Sequence, residues 1–234
     1  MSDFTNGFKF IGDNTGLLWH LTVKHLELTA AAVGIALLIA LPLGIWLGHL
    51  HRGSFIAISV SNVGRALPSL ALISFGVALL GIGFLNSMVA LIVLAIPPVL
   101  TNAYVAIEGV DRDAVEAARG MGMTGFEVLR RVELPLALPL IFAGIRIAVV
   151  FVIATATITS VAGGTSLGDV IVDQATYRLA GVIGASICVA ALALLAQLLF
   201  AGLERVVTPR GLRKQRQRRQ AGGPAPVPAV ARAN

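Results

Sequence analysis

Charge is what this chain has least of. Of its 234 residues only 13% are Asp, Glu, Lys or Arg, about half the fraction of an ordinary soluble domain. Apolar residues make up 56%, and the mean hydropathy is +0.86, which excludes a water-soluble globule. Cys188 is the one cysteine, so no intrachain disulfide can form; in its apolar run it reads as a small packing residue. There is no G-x-x-x-x-G-K-[ST], which excludes nucleotide binding through a P-loop, and no nucleophile–base constellation is legible. His20, His25, His49 and His51 fall near span ends without Cys or carboxylate partners at ligand spacing. Interfacial solvation is the expected state of all four, and no metal site is expected.

What is present is a series of long apolar runs, each able to cross about 30 Å of hydrocarbon as a helix. The expected fold is therefore an all-α polytopic membrane protein with about five transmembrane helices. Residues 1–25, with Phe4, Phe8, Phe10 and Trp19, read as an external or interfacial segment, disorder being the alternative for the first ten. A transmembrane domain follows over 26–207. Its spans are expected near Leu26–Leu47, Leu67–Phe84 (after a short helix Ser54–Val63 and a break), Ser87–Ile107, Leu138–Ser160 and Gly181–Leu203. Residues 208–234 are expected to form a basic, then Pro/Ala-rich, disordered cytoplasmic tail. The run Arg210–Arg219 reads as a topogenic flank with some attraction for anionic lipid; without interleaved aromatics, no nucleic-acid partner is expected.

Polar residues within the spans mark pathway or gate candidates. Arg65 and Pro68 bracket the break before the second span, and Arg65 is affordable only near an interface. Pro97 and Pro98 remove two backbone donors, which kinks or breaks the third span just ahead of Asn102 and Tyr104. Thr155 and Thr159 share a helix face, and each can bond back to its own turn. Pore lining and helix packing both accommodate these residues.

One stretch breaks the apolar pattern. Residues 113–135 read as two short helices with a break. Asp113, with Glu116 three residues on, suits the cap of the first helix; Thr124, with Glu127 three residues on, is a capping box for the second. Gly120, Gly122 and Gly125 surround the break, where positive φ is needed. Pro135 suits the first turn of the next span.

The spaced pattern Glu116-Ala117-Ala118, x3, Gly122, x9, Val132-x-Leu134-Pro135 resembles the EAA loop of importer-type ABC permeases, with Val132 in place of the usual Ile. The resemblance implies a type I ABC importer permease-like bundle. Its coupling loop, residues 111–135, would dock on a cytoplasmic ABC ATPase through Glu116, Ala117, Ala118, Arg119, Gly122, Leu134 and Pro135. ATP and Mg would be held by that separate chain, with no cofactor here. Further partners implied are an extracytoplasmic substrate-binding protein, a second permease copy or paralogue, and membrane lipid.

Similarity continues in Gly64–Ser69, Pro97-Pro98, Thr101–Tyr104, Gly120–Thr124, Glu133–Pro139 and Ala143–Arg146, which look like the osmoprotectant branch: importers of glycine betaine, choline, carnitine or proline. Methionine importers share much of the pattern. At 6% aromatic residues the chain shows no cation–π cage of its own. An autonomous secondary transporter or channel is disfavoured by the lack of an internal repeat and of buried acids for ion coupling. A purely structural scaffold leaves the spaced motif unexplained.

Charge gives an orientation independently of the motif. With five spans and the N-terminus outside, thirteen of the eighteen Lys and Arg, among them Arg52, Arg112, Arg119, Arg130 and Arg131, fall on the inner side, and Lys9, Lys24 and Arg178 on the outer. The expectation is a multi-pass protein of the bacterial inner membrane with its motif loop and C-terminus in the cytoplasm.

Overall fold

A computed structural model describes residues 2–207, with the side chains of Ser2, Ile56, Ile58 and Arg65 outside the description. The tail over 208–234 lies outside the described residues. Among those described there is no strand. The order is α1 (Ser2–Asp13), α2 (Thr15–His49), α3 (Ser54–Ala66), α4 (Ser69–Leu80), α5 (Phe84–Glu108), α6 (Arg112–Gly120) and α7 (Gly125–Val128). A π turn (Leu129–Glu133), α8 (Leu134–Ala156), a 3-10 turn (Ile158–Ala162), α9 (Gly168–Val172) and α10 (Gln174–Val207) complete it.

Helix α5 sits at the centre, between α2 and α8. Leu28, Ala32, Val33 and Ala36 of α2 meet Leu91 and Ala95 of α5 and Val149, Val152, Ile153 and Ala156 of α8 in one apolar core. Along α2 a small residue recurs every fourth position: Ala32, Ala36, Ala40, Gly44 and Gly48, all buried. This stripe lets backbones touch, as small residues do between membrane helices. A Cβ on Gly44 would stand 2.7 Å from the Leu100 carbonyl oxygen; one on Gly48 would stand 2.9 Å from that of Tyr104.

Among the described residues four helices are long and apolar enough to cross a membrane: α2, α5, the continuous Gly125–Ala156 rod and α10. The short helix and the break expected before the second span are present, but the span itself is shorter than the expected Leu67–Phe84. Its apolar part, α4, has only 12 residues, about 18 Å, because Gly81 and Gly83 at φ +79° and +146° turn the chain before α5. Helix α3 and α4 together supply that length, broken at Leu67 and Pro68, whose backbones are extended.

Other boundaries also move. Residues 2–10 are not disordered: α1 lies against α10, where Gly7 and Gly184 bring the two helices close. Helix α2 begins eleven residues before the expected Leu26. Helix α5 runs unbroken through Pro97 and Pro98. Helix α10 starts at Gln174 and is kinked at Arg178, whose φ is +55°.

Candidate functional site: a knuckle and the cavity behind it

The polar stretch folds as a tight knuckle. Helix α6 is capped by Asp111, whose carboxylate accepts the Asp113 N–H at 3.0 Å, and not by Asp113 as the spacing suggested. The helix begins two residues earlier than that cap implies, and Asp113 falls in its first turn, where a negative charge faces the unpaired N–H groups. At the other end the chain leaves α6 through a Schellman motif. The Met123 N–H donates to the Ala118 carbonyl (3.2 Å) and the Gly122 N–H to that of Arg119 (2.9 Å), with Gly122 at φ +84°. Of the three glycines at the break, only Gly122 adopts positive φ; Gly120 ends α6 and Gly125 opens α7.

The second half obeys the capping box. The Thr124 hydroxyl accepts the Glu127 N–H, and the Glu127 carboxylate accepts the Thr124 N–H at 2.9 Å. Helix α7 then passes without a break through the π turn into α8, with Pro135 in the first turn of α8. Pro135 has no N–H to give the preceding turn, and the helix widens just before it. The knuckle is thus the end of a rod that continues through the bundle.

Its small core is Val115, Ala118 and Val128, with Met123 and Val132 beside them. Among the motif residues, Glu116, Ala117, Arg119 and Gly122 are exposed. Ala118 faces inward, and Leu134 and Pro135 are half-buried at the root. Two large apolar side chains stand out from the same surface, Met121 at 72% and Phe126 at 70% exposure, an uncommon placement for an aqueous loop.

Beyond the knuckle, α3, α4, α5 and α8 line a half-open cavity of about 420 Å³. Pro97, Pro98, Thr101 and Asn102 line it from α5, Ser61 and Ser69 from the broken span, and Ile147 and Phe151 from α8. Asn102 donates its amide to the Pro98 carbonyl at 2.7 Å, and Thr101 its hydroxyl to the Ala57 carbonyl. An apolar groove of about 300 Å³ lies across Gly64, Leu67 and Pro97 from this cavity. Gly64 is seated directly on Pro97.

The other pathway candidates are elsewhere. Tyr104 is buried at the α2 seam. Pro68 is exposed at the break, and the Arg65 side chain is outside the described residues. Thr155 and Thr159 are buried, their hydroxyls bonded to the Phe151 and Ala156 carbonyls.

Three polar contacts escaped the sequence reading. His25 is not interfacial but fully buried, its Nε2 2.9 Å from the Ile153 carbonyl. His49 is not solvated either: its Nδ1 meets Glu133 Oε2 at 2.6 Å. Arg146 pairs with Glu204 at 3.1 Å between α8 and α10. The partners are 128, 84 and 58 residues apart, and no spacing rule reaches that far. No group of His, Cys, Asp and Glu able to hold a metal occurs among the described residues.

A rod that begins at a water-exposed knuckle and ends in the wall of a cavity between apolar helices is the layout of a transport permease. Residues 40–210 match the family described as "Binding-protein-dependent transport system inner membrane component", and the chain belongs to that family. It is 38% identical over 209 residues to the glycine betaine/carnitine/choline transport system permease protein OpuCB of Bacillus subtilis (strain 168), covering 89% of this chain and 96% of that one. It is 34% identical over 207 residues to the osmoprotectant import permease protein OsmW of Salmonella typhimurium, covering 86% and 96%. The inward-facing MetNI methionine ABC transporter shares the fold, with a TM-score of 0.72 at 24% identity over 83% of this chain and 98% of that one. The architecture is that of type I ABC importer permeases.

Proposed function

We propose that this chain is one membrane-spanning half of an ATP-driven importer whose solute is a small osmoprotectant of the glycine betaine, choline, carnitine or proline class. The observation that carries the reading is the knuckle. It presents Glu116, Ala117 and Arg119, flanked by Met121 and Phe126, at the free end of a helix continuous with the cavity wall. Exposed apolar side chains on a rigid, doubly capped turn suit a groove on a second protein, here the ATPase. A push on the knuckle is delivered along α8 to Ile147 and Phe151 at the cavity. The relatives' names supply the solute class.

In the same reading ATP and Mg belong to the ATPase, and a binding protein delivers solute at the outer face. A second copy or paralogue closes the cavity. Helices α3 and α4 make the fifth crossing, the N-terminus lies outside, and the basic tail faces the cytoplasm. Arg65, Pro68, Pro97, Pro98 and Asn102 are the gate and pathway residues, with Tyr104, Thr155 and Thr159 supporting them from the packed interior.

The test is purification of the chain from its own membranes. A P-loop ATPase should come with it and be lost, at least tenfold, in the double variant Met121→Ser/Phe126→Ser, while the permease still folds. Retention of the ATPase by that variant would remove the docking surface. A cysteine at position 119 that reacts with an impermeant thiol reagent applied outside intact cells would reverse the orientation and end the reading.

A further inference from the structure

One buried contact joins the knuckle to a helix it does not continue into. His49 is the last residue of α2, and Glu133 closes the π turn at the root of α8. Their side chains are 13% and 1% exposed, and they meet at 2.6 Å. The second carboxyl oxygen, Oε1, is buried without a hydrogen-bond partner. On its far side the same imidazole faces the start of the knuckle rod: a side chain on Gly125 would begin 3.6 Å from His49 Nε2. The ring is therefore bonded to one end of the segment Gly125–Glu133 and stands beside the other.

The surroundings are apolar: Ala103, Ile107, Ala137 and Ile141 are buried nearby, with Leu129 and Leu134 at their edge. A half-satisfied carboxyl in such a place costs stability, and an apolar residue of similar size would serve packing as well or better. What the pair adds is direction. The knuckle continues as helix into α8 and is tied to α5 by the link Gly109–Asp111, but no chain segment joins it to α2. Against α2 and α5 its root has apolar contacts, which slide; a short hydrogen bond between buried groups does not. Helix α2 is in turn seated on α5 along its small-residue stripe.

We propose that the His49–Glu133 pair is a strut that transmits displacement of the knuckle to α2, and through the stripe to α5, so that both walls move when the knuckle is pushed. The proposal rests on the reading of the knuckle as the ATPase contact. His49 and Glu133 are positioning residues: they touch neither solute nor nucleotide. The widened π turn beside them is the compliant part of the rod, and the strut bypasses it.

The experiment uses the whole importer, the permease with its ATPase and binding protein, in liposomes. Solute accumulated per ATP hydrolysed is measured with glycine betaine as the probe. The variants are His49→Phe, which keeps the ring, Glu133→Leu, which keeps the volume, the double, and Glu133→Gln, which keeps an acceptor for the imidazole. Each single variant should lower transport per ATP at least fivefold, and the double should be no worse than the worse single. Glu133→Gln should retain at least half.

Thermal unfolding separates a strut from a prop. Glu133→Leu should melt at or above the wild-type temperature while coupling falls, whereas a merely structural carboxylate would lose both together. Unchanged transport per ATP in the singles, or losses that multiply in the double, overturn the proposal. An ATPase that fails to bind even the wild-type chain sinks the docking reading instead, and the two failures are told apart by that control.

Discussion

Gly44 and Gly122 are the same residue kept for opposite reasons. In the α2–α5 seam Gly44 has ordinary helical backbone and no room: a Cβ would meet the Leu100 carbonyl at 2.7 Å and the Ala103 side chain at 2.8 Å. In the knuckle Gly122 has room and no ordinary backbone: nothing lies within 4 Å of a built Cβ, but φ is +84°. The seam is held by volume and the knuckle by conformation. Volume-held contacts are long, repetitive and distributed over five small residues of α2. Conformation-held ones are local, each resting on a single cap or hydrogen bond, as at Asp111, Gly122 and Thr124.

The largest effect should therefore come from filling the seam. Gly44→Leu forces α2 away from α5 along its length, and overpacking at a backbone contact costs about 3 kcal/mol or more. The expected outcome is a chain that no longer accumulates in membranes, read by quantitative blotting, with Gly44→Ala retaining part of the wild-type level. Full accumulation of the Leu variant would show that the seam yields, and the contrast with the knuckle would lose one side.

A sharper version tests whether polar geometry is confined to the knuckle end. Arg146 and Glu204 pair at 3.1 Å with side chains 25% and 17% exposed, between α8 and α10. Removing one partner leaves a charge in poorly solvated surroundings, at a cost of about 2 kcal/mol once partial exposure is allowed for. Arg146→Leu should lower the melting temperature of the detergent-solubilised chain by several degrees. Arg146→Leu/Glu204→Leu should recover most of that loss. If the double variant is as unstable as the single, the pair is not the relevant interaction and Arg146 acts through its packing.

The knuckle was legible in the sequence because its determinants are neighbours. Thr124 and Glu127 are three residues apart, and Gly122 lies within a turn of the residues it caps, so spacing alone predicts the box and the break. Asp113 was displaced as a cap by Asp111, which accepts its N–H: both carboxylates suit the position by type, and spacing does not choose between them. The all-α membrane class was legible from hydropathy. The seam was not read, although Ala32, Ala36, Ala40, Gly44 and Gly48 stand at helical spacing, because a small stripe is silent about which helix will face it. Nor were His49–Glu133 and Arg146–Glu204, whose partners meet only after the bundle has formed. The end of the second span fell short of the expected Phe84 because Gly81 and Gly83, which do not interrupt the apolar run, act through their backbone.

The smallest effect on stability should be the most informative about function. Gly122→Ala introduces no clash but places an L residue in the left-handed region, at roughly 1 kcal/mol. Asn tolerates that region better and should cost less than half as much. Because the knuckle has its own small core, the strain should be confined there: backbone amide exchange over 118–124 rises about fivefold in Gly122→Ala, while the melting temperature of the bundle stays within a degree. Uptake should fall with the same ranking, Asn above Ala, and Asp lowest because a carboxylate would sit beside the surface proposed to meet the ATPase. Equal uptake in all three variants would mean that the turn tolerates any residue, and the distinction between a glycine kept for space and one kept for φ would hold only on one side of the molecule.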